Sequence, residues 1–215
     1  MTFLAQHCVA SPGQAALHTA QHRIREKSLA RDLGIKTPRF WHITDSTDLT
    51  LAMTELDGNG ILKTCQLGYD GKGQVRLSKN DDLAAAFASL QTNDAILEEM
   101  IPFHAEASFL VARAIDGSLS LFPASLNEHR NGILARSFAP ATLPDAVINE
   151  GKAAVSALAE ALDLVGLLAL ETFVTEVTLR MNALRPRMIT IQLFHYLLVM
   201  SLPLQVNLKM FQQVL

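Results

Sequence analysis

ILKTCQLGYDGKGQVRL, residues 61–77, places Lys63 and Lys72 among glycines (Gly60 just before the stretch, then Gly68, Gly71 and Gly73) between two apolar runs. A hairpin turn is satisfied by one or two glycines. A further Gly-Lys-Gly beyond the turn asks for another explanation. Glycine lets a main chain approach a ligand without a Cβ clash, and successive backbone N–H groups can close over phosphate oxygens. The two lysines would add positive charge to such a cradle. No Gly-Lys-Ser/Thr ends the stretch, so it is not a Walker A loop, and its spacing and flanks do not fit a dinucleotide fingerprint. On these residues alone, a purely structural glycine hairpin stays open as the alternative.

The flanks set the loop between strands. GILKT and GQVRLS read as two short strands around it. Upstream, SPGQAALHTAQHRIREKSLARDLG (residues 11–34) reads as one helix, with Ser11 as N-cap, Pro12 in the first turn and Gly34 closing it. IKTPRFWHI is then extended, and DSTDLTLAMTEL is a second helix. Downstream, NDDLAAAFASLQ is a helix capped by Asn80 or Asp81. AILEEMIP and AEASFLVARAIDGSLSLFPASLNE alternate as strands do, with Asp116-Gly117 as a hairpin turn. DAVINEGKAAVSALAEALDL is an amphipathic helix, and GLLALETFVTEVTLRMNAL returns to strand. Helices mixed with hairpins predict an α+β architecture rather than a doubly wound parallel sheet.

Bulk properties narrow the function classes. With 215 residues, 49% hydrophobic, the chain can hold one large domain or two small ones around a real core. A net charge of −3 gives no electrostatic case for nucleic acid or a membrane surface as partner. Cys8 and Cys65 stand far apart without metal-type spacing, which argues against a disulfide framework and fits a reducing cytoplasm. The N-terminus lacks the charge and apolar core of a signal peptide. The most apolar run, Ile189 to Val206, is broken by Gln192, His195 and Pro203, short of the roughly 18 apolar residues that a membrane span needs.

Five stretches in order carry a resemblance: AQHRIREK (Ala20 to Lys27), LKT…GYDGKGQ (Leu62 to Gln74), ILEEMIPFHAEAS (Ile96 to Ser108), NEHRNGIL (Asn127 to Leu134) and GLLALETFV (Gly166 to Val174). In these the chain resembles the ATP-grasp ligases, and among them the 5-(carboxyamino)imidazole ribonucleotide synthases of purine biosynthesis. The resemblance runs from Cys8 to about Arg187. It implies an ATP-grasp fold, two α+β subdomains clasping ATP, with residues 1–54 as helical lead-in and linker, 55–101 as the glycine-loop lid and 102–187 as the second subdomain. It implies that Arg23 and Lys63 contact phosphates and that Gly68, Tyr69, Asp70, Gly71, Lys72, Gly73 and Gln74 form the lid. Glu98, Glu99, Met100 and Ile101 would line the adenine pocket, and Glu106 would hold the ribose. His129 would sit near the phosphates, with Lys72 and His129 in the catalytic role, Asn182 at the cofactor and Glu171 as a Mg²⁺ ligand. ATP, bicarbonate and aminoimidazole ribonucleotide follow as partners, with Mg²⁺, a homodimer and a cytoplasmic setting. Taken singly, Glu98-Glu99 also reads as a solvated strand edge, Arg23 as support for a helix dipole and His129 as a turn residue. Glu171, in an apolar run, needs a partner or a metal. Cys65 stands where the family usually has a basic residue and reads as a packed thiol.

The chain also departs from the family pattern. Most of the family's N-terminal α/β domain and its C-terminal domain have no counterpart here. The family's late Asn-Glu pair is Asn182-Ala183, and a methyl group cannot ligate Mg²⁺. Leu126 stands where the family often has an acidic residue. After Arg187 the family's polar segment gives way to an apolar run, Met188 to Leu215, whose back-translation in another frame can spell family-like residues, as after a frameshift. The expectation is therefore impaired ligation. A non-catalytic nucleotide-binding remnant and another ATP-grasp carboxylase, such as a biotin carboxylase relative, stand as alternatives.

Overall fold

The computed structural model describes residues 11–56, 58–66, 73–130, 133–176 and 178–187. Strand alternation sorts them into two antiparallel sheets, each with one apolar and one polar face. The first sheet has the order β1-β4-β2-β3, from β1 (Phe40–Ile43), β2 (Gly60–Thr64), β3 (Gln74–Leu77) and β4 (Ala95–Glu99). Ile43, Leu62, Leu77, Ala95 and Leu97 project from one face and are buried against Leu49, Ala52, Met53 and Leu56. Those four belong to helix α3 (Ser46–Glu55) and its C-cap, which starts where Asp45 accepts hydrogen bonds from the Thr47 and Asp48 amides at 2.7 and 2.9 Å. Since β1 and α3 build this core, the unit begins at Phe40, ahead of residue 55, and residues 40–54 are no linker. Helix α4 (Leu83–Ser89) is capped by Asp82 through the Ala85 amide, not by Asn80 or Asp81; Asp81 instead accepts from Ser78. Gly60 owes its place to packing: a Cβ there would stand 2.8 Å from Leu97 Cδ1.

The second sheet runs β10-β9-β5-β7-β8, with β6 on the side of β5. Its strands are β5 (Ala105–Arg113), β6 (Leu119–Leu121), β7 (Ser125–Arg130), β8 (Ile133–Phe138), β9 (Gly166–Val174) and β10 (Leu179–Arg187). Ala107, Phe109, Val111, Leu168, Leu170 and Leu184 turn one face onto helix α5 (Asp145–Ala161) through Val147, Val155 and Leu158. The closest approach is at Gly151, where a Cβ would lie 2.2 Å from Phe109 Cζ.

Helices α1 (Gln14–Ala20) and α2 (Arg23–Asp32) bury Ala16 and Ala30 in this same core. The helix expected over 11–34 is thus two, parted where His22 takes an extended conformation with φ −141°. Gly13, not Ser11, is the N-cap of α1. Gly34 closes α2 as expected, with φ +74°. The final strand expectation resolves into the β9–β10 hairpin. Among the described residues no helix is long and apolar enough to cross a membrane. The tail, Met188 to Leu215, lies outside the described residues.

Candidate functional site

A buried ionic cluster lies on the first sheet, where α2 ties it to β10 of the second. On β2 and β4, Lys63 and Glu98 are diagonal neighbours of one face, with Ile61 paired to Glu98 and Lys63 paired to Ile96. Lys63 Nζ donates to Glu98 Oε2 at 2.8 Å. Lys27, from α2, reaches the other carboxylate oxygen at 3.6 Å. Lys27, Lys63 and Glu98 are 1%, 9% and 2% exposed, so this is an interior cluster and not a solvated strand edge. Burial pushes the Glu98 carboxyl up, but Lys27, Lys63 and Arg23 outweigh it and hold it down at about 2. Burial in turn pulls the Lys27 ammonium down, against the opposing pull of Glu98. Two lysines and one carboxylate leave net positive charge in a low-dielectric seam, a fitting environment for an anion. Arg23 adds to it, its Nε held by the Thr64 carbonyl at 3.1 Å.

Lys27 also ties the seam to the second sheet. Its Nζ donates to the carbonyls of Met181 and Asn182, both at 3.0 Å. Those carbonyls lie at a register shift between Met181 and Ala183, so Asn182 is an extra residue in the β9–β10 ladder. Beside it, Glu26 accepts from the Leu184 amide at 3.1 Å and Lys36 accepts the Met181 amide at 2.9 Å. The exposed edge that β10 would present is thereby closed by α2. Lys27 escaped notice in the sequence because a lysine on a helix reads as solvent-facing; the signal was its place four residues after Arg23, one turn along the same face.

On the second sheet, Glu106, Ser108 and Glu171 share the face opposite the apolar core, with Ser108 paired directly to Glu171. His129 Nδ1 stands 3.3 Å from Glu106 Oε1. Burial, and the nearby Glu171 charge, raise the Glu106 carboxyl, while His129 works against them. Glu106 and Glu171, carboxylates on one face, are a donor set of hard oxygens, the chemistry that Mg²⁺ favours. Ala183 is the residue directly across from Glu171, and it is buried. It supplies no ligand.

The structure separates the remaining expected positions. Glu98 is engaged by both lysines, through a hydrogen bond from Lys63 and an ion pair with Lys27 at 3.6 Å. Glu99 is held by Arg39, at 3.2 Å from Nη2, and the pairing keeps its carboxyl below the usual range. Met100 and Ile101 follow the end of β4 in a segment that leads to β5, where Met100 is exposed. Phe103 in that connection stacks on Phe173 with centroids 4.4 Å apart, an aromatic shelf that the motifs did not single out. Gly73 closes the loop with φ +70° while its carbonyl accepts from Thr64 N at 2.9 Å. Gln74 pairs with Lys63. Gly68, Tyr69, Asp70, Gly71 and Lys72 lie outside the described residues.

Two sheets clasping a cationic seam, with carboxylates facing it, are the architecture of a nucleotide-binding clamp. Residues 28–190 match the ATP-grasp domain, and the chain belongs to the ATP-grasp family. Particular relatives sharpen this. The chain is 40% identical over 187 residues to the N5-carboxyaminoimidazole ribonucleotide synthase of Brucella melitensis, covering 86% of this chain and 52% of that protein. It is 38% identical to the enzyme of that name from Pseudomonas aeruginosa, covering 87% of this chain and 51% of that one. Among solved structures, an ADP complex of N5-carboxyaminoimidazole ribonucleotide synthetase matches with a TM-score of 0.81 at 34% identity, over 86% of this chain and 50% of that one. The chain spans about half the length of the curated relatives it matches.

Proposed function

We propose that the seam binds ATP and that the chain carries the ATP half of a carboxylation in which bicarbonate and aminoimidazole ribonucleotide yield N5-carboxyaminoimidazole ribonucleotide, in de novo purine synthesis. The observation that supports this best is the buried Lys27–Glu98–Lys63 cluster beside Arg23, a fixed cationic surface between the sheets. Glu98 serves there as the hub that holds both ammonium groups in place. In the reaction a bicarbonate oxygen attacks the γ-phosphorus, the bond to the ADP oxygen breaks, and carboxyphosphate forms. The exocyclic amine nitrogen then attacks the carbonyl carbon, phosphate leaves, and the nitrogen loses its proton. Lys63, Arg23 and Lys72 neutralise the transferring phosphoryl charge, and exclusion of water protects the labile intermediate. Glu106 and His129 hold one another at the ribose and phosphate end. Glu171 is the residue to hold Mg²⁺, which supplies further charge neutralisation on the phosphates.

A second reading, nucleotide binding without ligation, is favoured by Ala183, a methyl group across from Glu171 where a second carboxylate would complete the metal set. Two assays separate the readings. Calorimetry with ATP and Mg²⁺ is expected to show binding for either. Phosphate release dependent on both bicarbonate and aminoimidazole ribonucleotide is expected only for the first, and weakly. Absence of any nucleotide-dependent heat sinks both.

A further inference from the structure

Beside Arg23, whose amide donates to Cys65 O, four segments bring together His22, Cys65, Asp94 and His42. His22 caps α2, Cys65 follows β2, Asp94 precedes β4 and His42 lies on β1. One donor atom each from His22, Cys65 and Asp94 lies within 4.8 Å of the others. His22 Nε2 stands 3.0 Å from Asp94 Oδ2, and His42 Nε2 stands 2.9 Å from Asp94 Oδ1. We propose that His22, Cys65 and Asp94 form a binding site for a divalent transition-metal ion of the Zn²⁺ type, with a fourth position for water and His42 holding the Asp94 carboxylate from outside.

The donor chemistry selects the ion. One thiolate, one imidazole nitrogen and one carboxylate suit Zn²⁺ or Co²⁺ and not Mg²⁺, which takes hard oxygens. Donor atoms around tetrahedral Zn²⁺ stand roughly 3.3–3.6 Å apart, given bond lengths of about 2.0–2.3 Å. The donors, within 4.8 Å of one another, therefore draw together by up to about 1.5 Å around the ion. The frame is already built by main-chain bonds: Cys65 N donates to Asp94 O and Arg23 N donates to Cys65 O, both at 3.0 Å.

A plain hydrogen-bonded tie between helix and sheet accounts for part of this, and two observations go beyond it. His22 Nδ1 is buried and has no hydrogen-bond partner, so the bond from Nε2 to Asp94 does not satisfy the ring. Cys65 is 1% exposed yet belongs to neither apolar core; its neighbours are the polar groups above. A thiol kept only for packing belongs among aliphatic side chains. An ion here would pin the exit of β2, where the glycine loop begins, to the N-terminus of α2.

The test is a Co²⁺ titration of the metal-free protein, read by absorption. Expected are one bound Co²⁺ per chain, d–d bands of tetrahedral intensity, a thiolate-to-cobalt charge-transfer band, and displacement by one equivalent of Zn²⁺. Cys65→Ser should abolish the charge-transfer band, His22→Ala should weaken binding tenfold or more, and Cys8→Ser and Glu171→Gln should leave both unchanged. Should Cys65→Ser fail to fold, Zn²⁺ protection of the remaining thiol in Cys8→Ser against a thiol reagent takes its place, and no protection overturns the site. No charge-transfer band in the parent protein, or one lost with Cys8 and kept without Cys65, also overturns it.

Discussion

Glu98 decides most at the scale of single residues, because it neutralises two lysines that are otherwise buried without compensation. Lys27→Met removes the bonds to the Met181 and Asn182 carbonyls and half of the charge facing Glu98. Breaking a buried pair from one side costs about 3–5 kcal/mol, so urea unfolding should show a loss of that order. Lys63→Ala, at the open end of the cluster, should instead act chiefly on nucleotide binding, severalfold or more, since a charge-assisted contact is worth roughly 1.5–3 kcal/mol. The acid limb follows with its sign. The Glu98 carboxyl is held at about 2 in the fold against an ordinary 4.5, so its contribution is full above 4.5 and is lost as pH falls toward 2. That loss is about 3 kcal/mol. Denaturant midpoints across this window should fall less steeply for Glu98→Gln than for the parent; equal slopes would falsify the assignment. Residue types and motif order made Arg23, Lys63 and Glu98 legible in the sequence. That Glu98 stands between two buried lysines was not, because only the register of β2 on β4 and the docking of α2 reveal it.

Among the elements, legibility followed periodicity. Helix α5 and strand β5 show clean patterns because each buries one face, and both lie where the sequence puts them. Strand β8 has no such pattern: nearly all its residues are exposed, and it exists through its pairing with β7 alone. The break between α1 and α2 has no glycine or proline to announce it, and His22 is drawn out of helix by its contact with Asp94. The caps at Gly13 and Asp82 lie one or two residues from the positions expected, where several polar candidates compete. A tight element contact carries its own prediction. Gly151 sits mid-helix against the Phe109 ring, with no room for a methyl group. Gly151→Ala gains helix propensity but overpacks the core, which costs typically 1–3 kcal/mol, so the net change should be a loss of stability. Adding Phe109→Leu should return part of that loss. Additive losses in the double variant would show that the contact is not the cause.

At the scale of the whole molecule, α2 holds the two sheets in one arrangement, since Glu26 and Lys27 fasten β10 while Lys27 and Arg23 fasten β4 and β2. The proposed metal set on the second sheet then depends on β10, whose Ala183 lies across from Glu171. Ala183, 3% exposed, is directly across from Glu171, so Ala183→Glu adds a carboxylate to the same face. Without a cation the new charge meets Glu171 and Glu106, a like-charge cluster that desolvation makes worse. The variant should therefore be less stable than the parent in chelator. With Mg²⁺ and ATP the same charges become ligands, and binding to the native state raises stability by about 2.7 kcal/mol at a hundredfold excess over Kd. The rise in unfolding midpoint from chelator to Mg²⁺-ATP should accordingly be larger for Ala183→Glu than for the parent, while Glu171→Gln should shrink it in both. An equal rise in parent and variant would mean that β10 does not reach the metal. The carboxylates of the second sheet would then be only a polar surface.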